Sequence, residues 1–118
     1  MISIQQVIDI HSELIEEFGG LSGIKNKGLL ESAIMSPQQG YIDDVIEIIA
    51  TIVYGICQNH PFNDGNKRIA AVVGEYLLNE INKKLELTNA EYEQVIWQLA
   101  DSKISKDELI GIFKKNTI

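Results

Sequence analysis

Apolar residues recur every three to four positions along most of this chain, and glycine, proline and asparagine interrupt the pattern. The first stretch with helical spacing comprises Ile4, Val7, Ile8, His11, Leu14, Ile15 and Phe18. That spacing predicts an amphipathic helix. Ser3 and Gln6 are placed to form a capping box at its start. Gly19-Gly20 ends it, since glycine accepts the left-handed conformation of a helix C-terminus.

The middle of the chain predicts two further helices of different character. A short helix covers residues 29–35, and the segment at residues 36–40 ends it because it contains Pro37. This segment is either irregular or a small hairpin. A third helix starts at Asp43 and Asp44, whose carboxylates suit its positive end. It is apolar on nearly every side as far as Ile56, which indicates a central helix.

The remainder of the chain predicts three more helices. The fourth begins in or just after a polar loop, runs to about Lys83 and has a buried stripe of Ile69, Val72, Val73, Tyr76, Leu77 and Ile81. Capping boxes at Thr88 and Ser105 open the last two helices. Residues 84–87 alternate between polar and apolar, which favours a short extended stretch. The predicted architecture is an all-α bundle of about six helices in one domain, residues 1–118, with at most one small hairpin.

Composition narrows the possible functions. A chain of 118 residues can build one core without disulfides or metals. Its net charge of −7 disfavours direct nucleic-acid binding, which needs clustered cations. Cys57 is the only cysteine, which excludes a disulfide framework, and its apolar neighbours indicate a buried thiol. No signal peptide is visible and no apolar run could span a bilayer, so we expect a cytoplasmic protein without a membrane partner.

The most informative stretch lies between the third and fourth predicted helices. It reads His60-Pro61-Phe62-Asn63-Asp64-Gly65-Asn66-Lys67-Arg68. Such polarity beside a core is unfavourable unless the groups are satisfied. The first N–H groups of the following helix have no intrahelical partner, and together with the helix dipole they attract an anion. The stretch therefore indicates chemistry on a phosphorylated ligand.

Individual residues in this stretch suit the parts of a phosphoryl transfer. Histidine is the side chain that most often acts as a general base at neutral pH, and His60 is the candidate for that role. Asp64 is a hard oxygen ligand, suited to a Mg²⁺ ion that carries phosphate oxygens. Gly65 lets the backbone approach an anion closely, and the amide of Asn66 can donate a hydrogen bond to it.

Two cations and an aromatic ring complete the stretch. Lys67 and Arg68 can bind phosphate, Arg68 through two parallel hydrogen bonds and Lys67 as a mobile point charge. Phe62 is expected to point into the core and anchor the loop. Taken singly, a histidine before a helix is usually a cap or a surface residue. Two cations at the positive end of a helix, however, are locally unfavourable without an anion.

The stretch from His60 to Arg68 resembles the motif of the Fic/Doc superfamily, His-x-Phe-x-Asp/Glu-Gly/Ala-Asn-Gly/Lys-Arg. Residues 11–24 and 29–33 are similar to the first helix and glycine turn of the compact Doc toxins. The resemblance implies that His60 is the base that deprotonates a target hydroxyl and that Asp64 holds magnesium. It also implies that Gly65, Asn66 and Arg68 form the anion-binding nest. Residues 36–42 lie where family members have a flap that docks the target.

Two departures from the AMP-transferring branch favour the Doc branch. Lys67 stands where those enzymes have a second glycine, and Ala71 stands where they have a second arginine. The Doc branch resembles a kinase that presents the γ-phosphoryl group of ATP. The resemblance therefore implies a Mg²⁺- and ATP-dependent toxin of a toxin–antitoxin system. It would phosphorylate a Ser/Thr hydroxyl of a protein such as the translation factor EF-Tu and arrest translation.

The same resemblance implies control by a separate antitoxin protein. A protein adenylyltransferase and a non-catalytic module that binds a nucleotide or a partner are the alternatives. Outside the motif, His11 falls on an apolar helix face, which favours a satisfied core histidine over a catalytic one. Trp97 is either a packing residue or part of a partner groove, and packing is the favoured interpretation.

Overall fold

Six α-helices account for most of the chain in a computed structural model that describes all residues, Met1–Ile118. They are α1 (Ile4–Phe18), α2 (Lys27–Met35), α3 (Val45–Asn59), α4 (Asn66–Glu80), α5 (Asn89–Ala100) and α6 (Lys106–Asn116). The predicted all-α bundle is confirmed. None of the helices combines the length and the apolar character needed to cross a membrane.

The helix starts follow the capping signals of the sequence. All three predicted capping boxes are present, and they pair Ser3 with Gln6, Thr88 with Glu91 and Ser105 with Glu108. Side chains of Asn26 and Asp44 cap α2 and α3. Only α4 begins without a side-chain cap, at Gly65.

Helix α3 occupies the centre of the bundle, as its apolar composition predicts. It packs against α2, α4, α5 and α6. Six of its residues are buried in the single core cluster: Ile49, Ala50, Ile52, Val53, Ile56 and Cys57. Because α3 is held from several sides, it is a rigid base for the loop that follows it.

Small residues on α4 allow α5 to approach closely. A Cβ atom on Gly74 would lie 2.6 Å from the hydroxyl oxygen of Tyr92 and 2.9 Å from a methyl carbon of Val53. The Tyr92 hydroxyl donates to the Ala71 carbonyl at 2.7 Å. This close approach brings α5 alongside the first turns of α4.

The buried stripe of α4 differs in part from its prediction. Ile69, Val73 and Leu77 are buried as expected. Val72, Tyr76 and Ile81 were also predicted to be buried, but they are only half-buried. Ala70 and Leu78, which were not predicted, are buried instead. The buried face is displaced toward Ala70, Gly74 and Leu78, and the bare Gly74 lies against Tyr92 and Val53. The helix also ends at Glu80 rather than near Lys83, since the Lys83 N–H turns back to the Leu78 carbonyl at 2.8 Å.

No hairpin forms at residues 36–42, so that alternative was wrong. Residues Ser36–Gln38 form one turn of 3₁₀ helix instead. The amide of Gln38 donates to the carbonyls of Ile2 and Ile34 and accepts from the Ile2 N–H, which ties the segment to the start of α1. The predicted extended stretch at residues 84–87 is present, where Leu85 pairs with Thr117.

Candidate active site

Two loops are joined edge to edge at one end of the bundle. The first loop connects α1 to α2 (residues 19–26), and the second connects α3 to α4 (residues 60–65). The Pro61 carbonyl accepts from the N–H groups of Lys25 and Asn26 at 2.8 and 3.0 Å, and the Asn63 N–H donates to the Gly23 carbonyl at 3.1 Å. These bonds hold the second loop in one conformation beside α4.

The rings of Phe62 and His11 lie beneath the backbone of the second loop. Phe62 is 1% exposed, where the sequence puts it, and its ring stacks on the His11 ring at 3.8 Å between centroids. His11 is buried as expected, and its Nε2 lies 2.8 Å from the Asp64 carbonyl oxygen. His11 is therefore a satisfied core histidine that also connects α1 to the second loop.

Asn66 closes the loop from its other end. Its side-chain oxygen accepts from the Phe62 N–H and its amide nitrogen donates to the Phe62 carbonyl, both at 3.0 Å. One N–H of the amide is thus used inside the loop. Phosphate binding by Asn66 stays a prediction, and shaping the loop is a second role that the sequence did not indicate.

His60 occupies the junction between α3 and the second loop. It is the C-cap of α3, in the left-handed conformation with φ of 46°. Residues other than glycine adopt this conformation at a cost, and they often do so at functional sites. The side chain is exposed and borders the cavity described below.

The first turn of α4 offers backbone donors and cations without acidic partners. The N–H of Ile69 makes the first intrahelical bond, to the Gly65 carbonyl at 2.9 Å, so the three preceding N–H groups have no intrahelical acceptor. Lys114 is the only cation that forms ion pairs in the structure, with carboxylates of α3 and its N-cap. Lys67 and Arg68 therefore form no ion pair, although they lie at the positive end of a helix.

Aromatic rings hold both cations instead. The Arg68 guanidinium carbon lies 4.3 Å from the centroid of the Phe18 ring. The Lys67 ammonium nitrogen lies 4.1 Å from the centroid of the Trp97 ring on α5. Cation–π contacts of this kind leave most N–H donors of both groups available to a ligand.

The Asp64 carboxylate is fixed between the two loops. Its Oδ2 accepts from the Leu21 N–H at 3.1 Å, and its Oδ1 accepts from the Gly65 N–H at 2.8 Å. These hydrogen bonds, with a smaller effect from the charges of His11 and Arg68, hold the pKa of Asp64 below its usual value. The carboxylate is therefore ionised at neutral pH.

The surroundings of Asp64 fit a magnesium ion that arrives with phosphate. A Cβ atom on Gly20 would lie 2.7 Å from Asp64 Oδ2, so the bare glycine leaves room beside the carboxylate. No group of three or more His, Cys, Asp or Glu side chains is placed to hold a metal. A Mg²⁺ ion typically takes one or two protein carboxylates and completes its shell with phosphate oxygens and water. Asp64 is suited to be that single carboxylate.

These groups surround one cavity of about 630 Å³. Its walls are formed by His60, Asp64, Gly65, Asn66, Lys67, Arg68, Ala71 and Glu75 on one side and by Asn89, Tyr92, Glu93, Ile96 and Trp97 on the other. Every predicted site residue lines it except Phe62, which anchors the loop from below. The volume is in the range of cavities that bind small-molecule ligands.

The sequence did not predict that α5 forms one wall of this cavity. Trp97 is 49% exposed and lines the cavity, so its interpretation as a packing residue was wrong. A signal was present: the buried positions of α5 are Tyr92, Ile96 and Leu99, and Trp97 lies off that face. An aromatic ring outside the buried stripe indicates a surface or a site.

Comparison with known proteins assigns the chain to a family. The model of the Fic/DOC family matches residues 1–78, which include α1 to α3, the second loop and nearly all of α4. The chain is 36% identical over 73 residues to the protein kinase doc of Escherichia phage P1. That alignment covers 58% of this chain and 58% of the phage protein, so the chain spans little more than half of that relative's length. Residues 1–78, which the family model matches, contain the whole stretch from His60 to Arg68, and the chain belongs to the Fic/DOC family.

Proposed function

We propose that this protein transfers the γ-phosphoryl group of ATP to a Ser or Thr hydroxyl of a protein target. The observation that carries the proposal is the composition of one cavity. It combines an uncapped helix start, two cations that form no ion pair, an ionised carboxylate and an exposed histidine. Phosphoryl transfer needs charge neutralisation, a metal ligand, an oriented nucleophile and a base.

In the proposed reaction His60 acts as the base. It accepts the proton of the acceptor hydroxyl, and the oxygen forms a bond to the γ-phosphorus. The bond between that phosphorus and the β–γ bridging oxygen breaks, its electron pair leaves with ADP, and His60 releases the proton to solvent. The N–H groups at the start of α4, with Lys67 and Arg68, bind the phosphate oxygens whose charge develops during the transfer.

Asp64 would hold Mg²⁺ in this reaction. When bound there, the ion would neutralise part of the triphosphate charge. Two backbone hydrogen bonds orient the Asp64 carboxylate before any ligand arrives. The Asp64 side chain therefore does not have to reorient when Mg²⁺ binds.

The biological setting is part of the proposal. A relative named protein kinase doc supports a Doc-like kinase toxin. We extend the proposal to action in the cytoplasm on a translation factor such as EF-Tu, because the resemblance of the motif implies it. A separate antitoxin would then control it. The acidic net charge of −7 suits a basic helical segment as the antitoxin's contact.

AMP transfer is the second candidate, and the position of Lys67 disfavours it. The lysine side chain extends from the first turn of α4 into the cavity. It occupies space beside the nest that a glycine would leave open. Ala71 also lines the cavity without offering a second arginine. Both observations favour transfer of the γ-phosphoryl group.

The test uses ATP labelled at the γ- or the α-phosphate with EF-Tu as acceptor and Mg²⁺ present. Label from the γ position alone is expected. Label from the α position would establish AMP transfer, and binding of ATP without transfer would favour a non-catalytic module. These three outcomes separate the candidate functions.

Replacement of His60 tests the assigned base. We expect His60→Ala to abolish transfer while the unfolding temperature stays near that of the unmodified protein, since the side chain is exposed. A loss of about 10²–10⁴-fold is typical of removing a general base. Normal phosphate transfer by this variant would show that another group is the base.

Replacement of Asp64 tests the assigned metal ligand. Asp64→Asn should raise the Mg²⁺ concentration that transfer requires.

A further inference from the structure

Trp97 contributes to the cavity from outside the motif. It lies on α5, beyond residues 1–78 that match the family model. Its ring lies 4.1 Å from the Lys67 ammonium nitrogen, and half of its surface remains exposed. The contact thus joins a motif residue to a helix that the motif does not include.

Lys67 needs such a contact because of its position. A cation in the first turn of a helix is disfavoured by the helix dipole. No carboxylate pairs with Lys67, since the only ion pairs in the structure are those of Lys114. A lysine side chain also has large rotamer entropy, so a single position must be stabilised by contacts. The π face of Trp97 attracts a cation and limits where the ammonium group lies.

The geometry also leaves the ammonium group available. Lys67 and Trp97 line the same cavity as His60 and the α4 start. An ammonium group has three donors, and a cation–π contact does not use them all. A phosphate oxygen can therefore bind Lys67 while the contact with the indole ring persists.

We infer that Trp97 is a positioning residue that holds the Lys67 ammonium group inside the cavity, ready to bind a phosphate group of the ligand. The inference rests on the proposed function in that the ligand carries phosphates. It adds a residue of α5 to the phosphate site and gives the exposed indole a role. By restricting Lys67 before binding, Trp97 lowers the entropy that is lost when phosphate binds.

The free protein offers the first test, because Trp97 is the only tryptophan and its fluorescence reports on this site alone. Lys67→Met removes the ammonium group from the face of the indole ring. The wavelength or the intensity of the Trp97 emission should therefore change. Lys25→Met is the matched control, since Lys25 lies in the α1–α2 loop and does not line the cavity. Identical emission from all three proteins would overturn the inference.

The second test is a double-mutant cycle read by calorimetry with inorganic tripolyphosphate as ligand. Trp97→Leu should weaken binding by about two- to fivefold, as expected for loss of an exposed cation–π contact. Trp97→Phe should recover part of the loss. In the Lys67→Met background, Trp97→Leu should have no further effect, because its role acts through the lysine.

The outcomes separate this inference from the proposed function. If tripolyphosphate and Mg·ATP both fail to bind the unmodified protein, the proposed function is wrong, and the emission of Lys67→Met still decides whether the two side chains interact. If both ligands bind and Trp97→Leu binds them as tightly as the unmodified protein, the inference is overturned and the proposed function stands. Circular dichroism of each variant establishes that it is folded.

Discussion

Asp64 belongs to the second loop, yet its carboxylate is also oriented by the first. Leu21 donates to one of its oxygens and Gly65 to the other. Both bonds favour the ionised form and hold the pKa of Asp64 below its usual value. An acid with a depressed pKa stabilises the fold above its unfolded pKa, and this stabilisation is lost as the pH falls through the folded pKa. Acidification should therefore weaken the link that Asp64 makes between the two loops, while the backbone bonds at Pro61 and Asn63 remain.

Gly20→Ala tests whether the space beside Asp64 matters. The new Cβ atom would lie 2.7 Å from Asp64 Oδ2, so the carboxylate must move. We expect Mg·ATP to bind about 10- to 100-fold more weakly, the usual effect of disturbing groups that orient a metal ligand. Calorimetry with and without Mg²⁺ measures this.

Gly19→Ala is the matched control for that experiment. Both glycines have positive φ, 84° and 113°, so both substitutions strain the backbone, at a cost of about 1–3 kcal/mol. A Cβ atom on Gly19, however, meets nothing within 4 Å. Equal losses of Mg·ATP affinity in the two variants would mean that backbone strain, and not the position of Asp64, causes the effect.

Among the helices, α4 differs from the others in how it begins. In α1, α5 and α6, the side chains of a capping box accept hydrogen bonds from N–H groups at the helix start. Helix α4 begins at Gly65 with no side-chain acceptor and places two cations next to its free N–H groups. Both features lower the stability of an isolated helix, and both raise its affinity for an anion. The start of α4 is therefore locally less stable than the other helix starts, as expected for an anion site.

Sequence patterns predict an element well when its signal is local. The capping boxes, the apolar α3 and the motif loop were all predictable because each depends on residues close together in the chain. The α5 wall of the cavity was not, since the meeting of Trp97 with Lys67 depends on how α5 packs on α4. The absence of a hairpin at residues 36–42 likewise depends on a distant partner, because Gln38 bonds to Ile2.

Packing of α5 on α4 can be tested at Gly74. In Gly74→Ala the new methyl would press on the Tyr92 hydroxyl and on Val53, at 2.6 and 2.9 Å. Overpacking of this kind destabilises by about 1–3 kcal/mol. Because α5 carries one wall of the cavity, ligand affinity should fall as well. Urea denaturation measures the stability change.

Gly111→Ala provides the comparison within another helix. Gly111 lies in α6, and a Cβ atom there meets nothing within 4 Å. Alanine should stabilise this helix by about 0.5–1 kcal/mol relative to glycine. If Gly74→Ala were also stabilising, the α4–α5 contact would be looser than the structure indicates.

At the scale of the whole molecule, α3 links the core to the site. It packs against four other helices, and its last residue precedes His60. Cys57, in the last turn of α3, is fully buried. Burial raises the pKa of its thiol to about 11, an effect that the charge of Lys67 partly offsets. A neutral, buried thiol at this position reacts only when the bundle opens.

Alkylation of Cys57 therefore measures opening of the whole molecule, and it should respond to ligand. Cys57 is the only cysteine, so iodoacetamide at pH 8 reports on this site alone. Tripolyphosphate at 100 times its dissociation constant should slow labelling about 100-fold if the site exists only in the folded state. Labelling at the rate of an unfolded thiol would contradict the buried position of Cys57.

The same thiol gives the stability of the bundle a defined dependence on alkaline pH. Because the pKa of Cys57 is raised from 9.0 to about 11, the folded state binds more protons than the unfolded state between these values. Its contribution is fully present below pH 9 and is lost as the pH rises through about 11. Cys57→Ala should remove this part of the decline and lower stability at pH 7 through the lost packing. Urea denaturation of both proteins from pH 7 to 11 measures the difference, and parallel curves would show that Cys57 does not titrate as its burial requires.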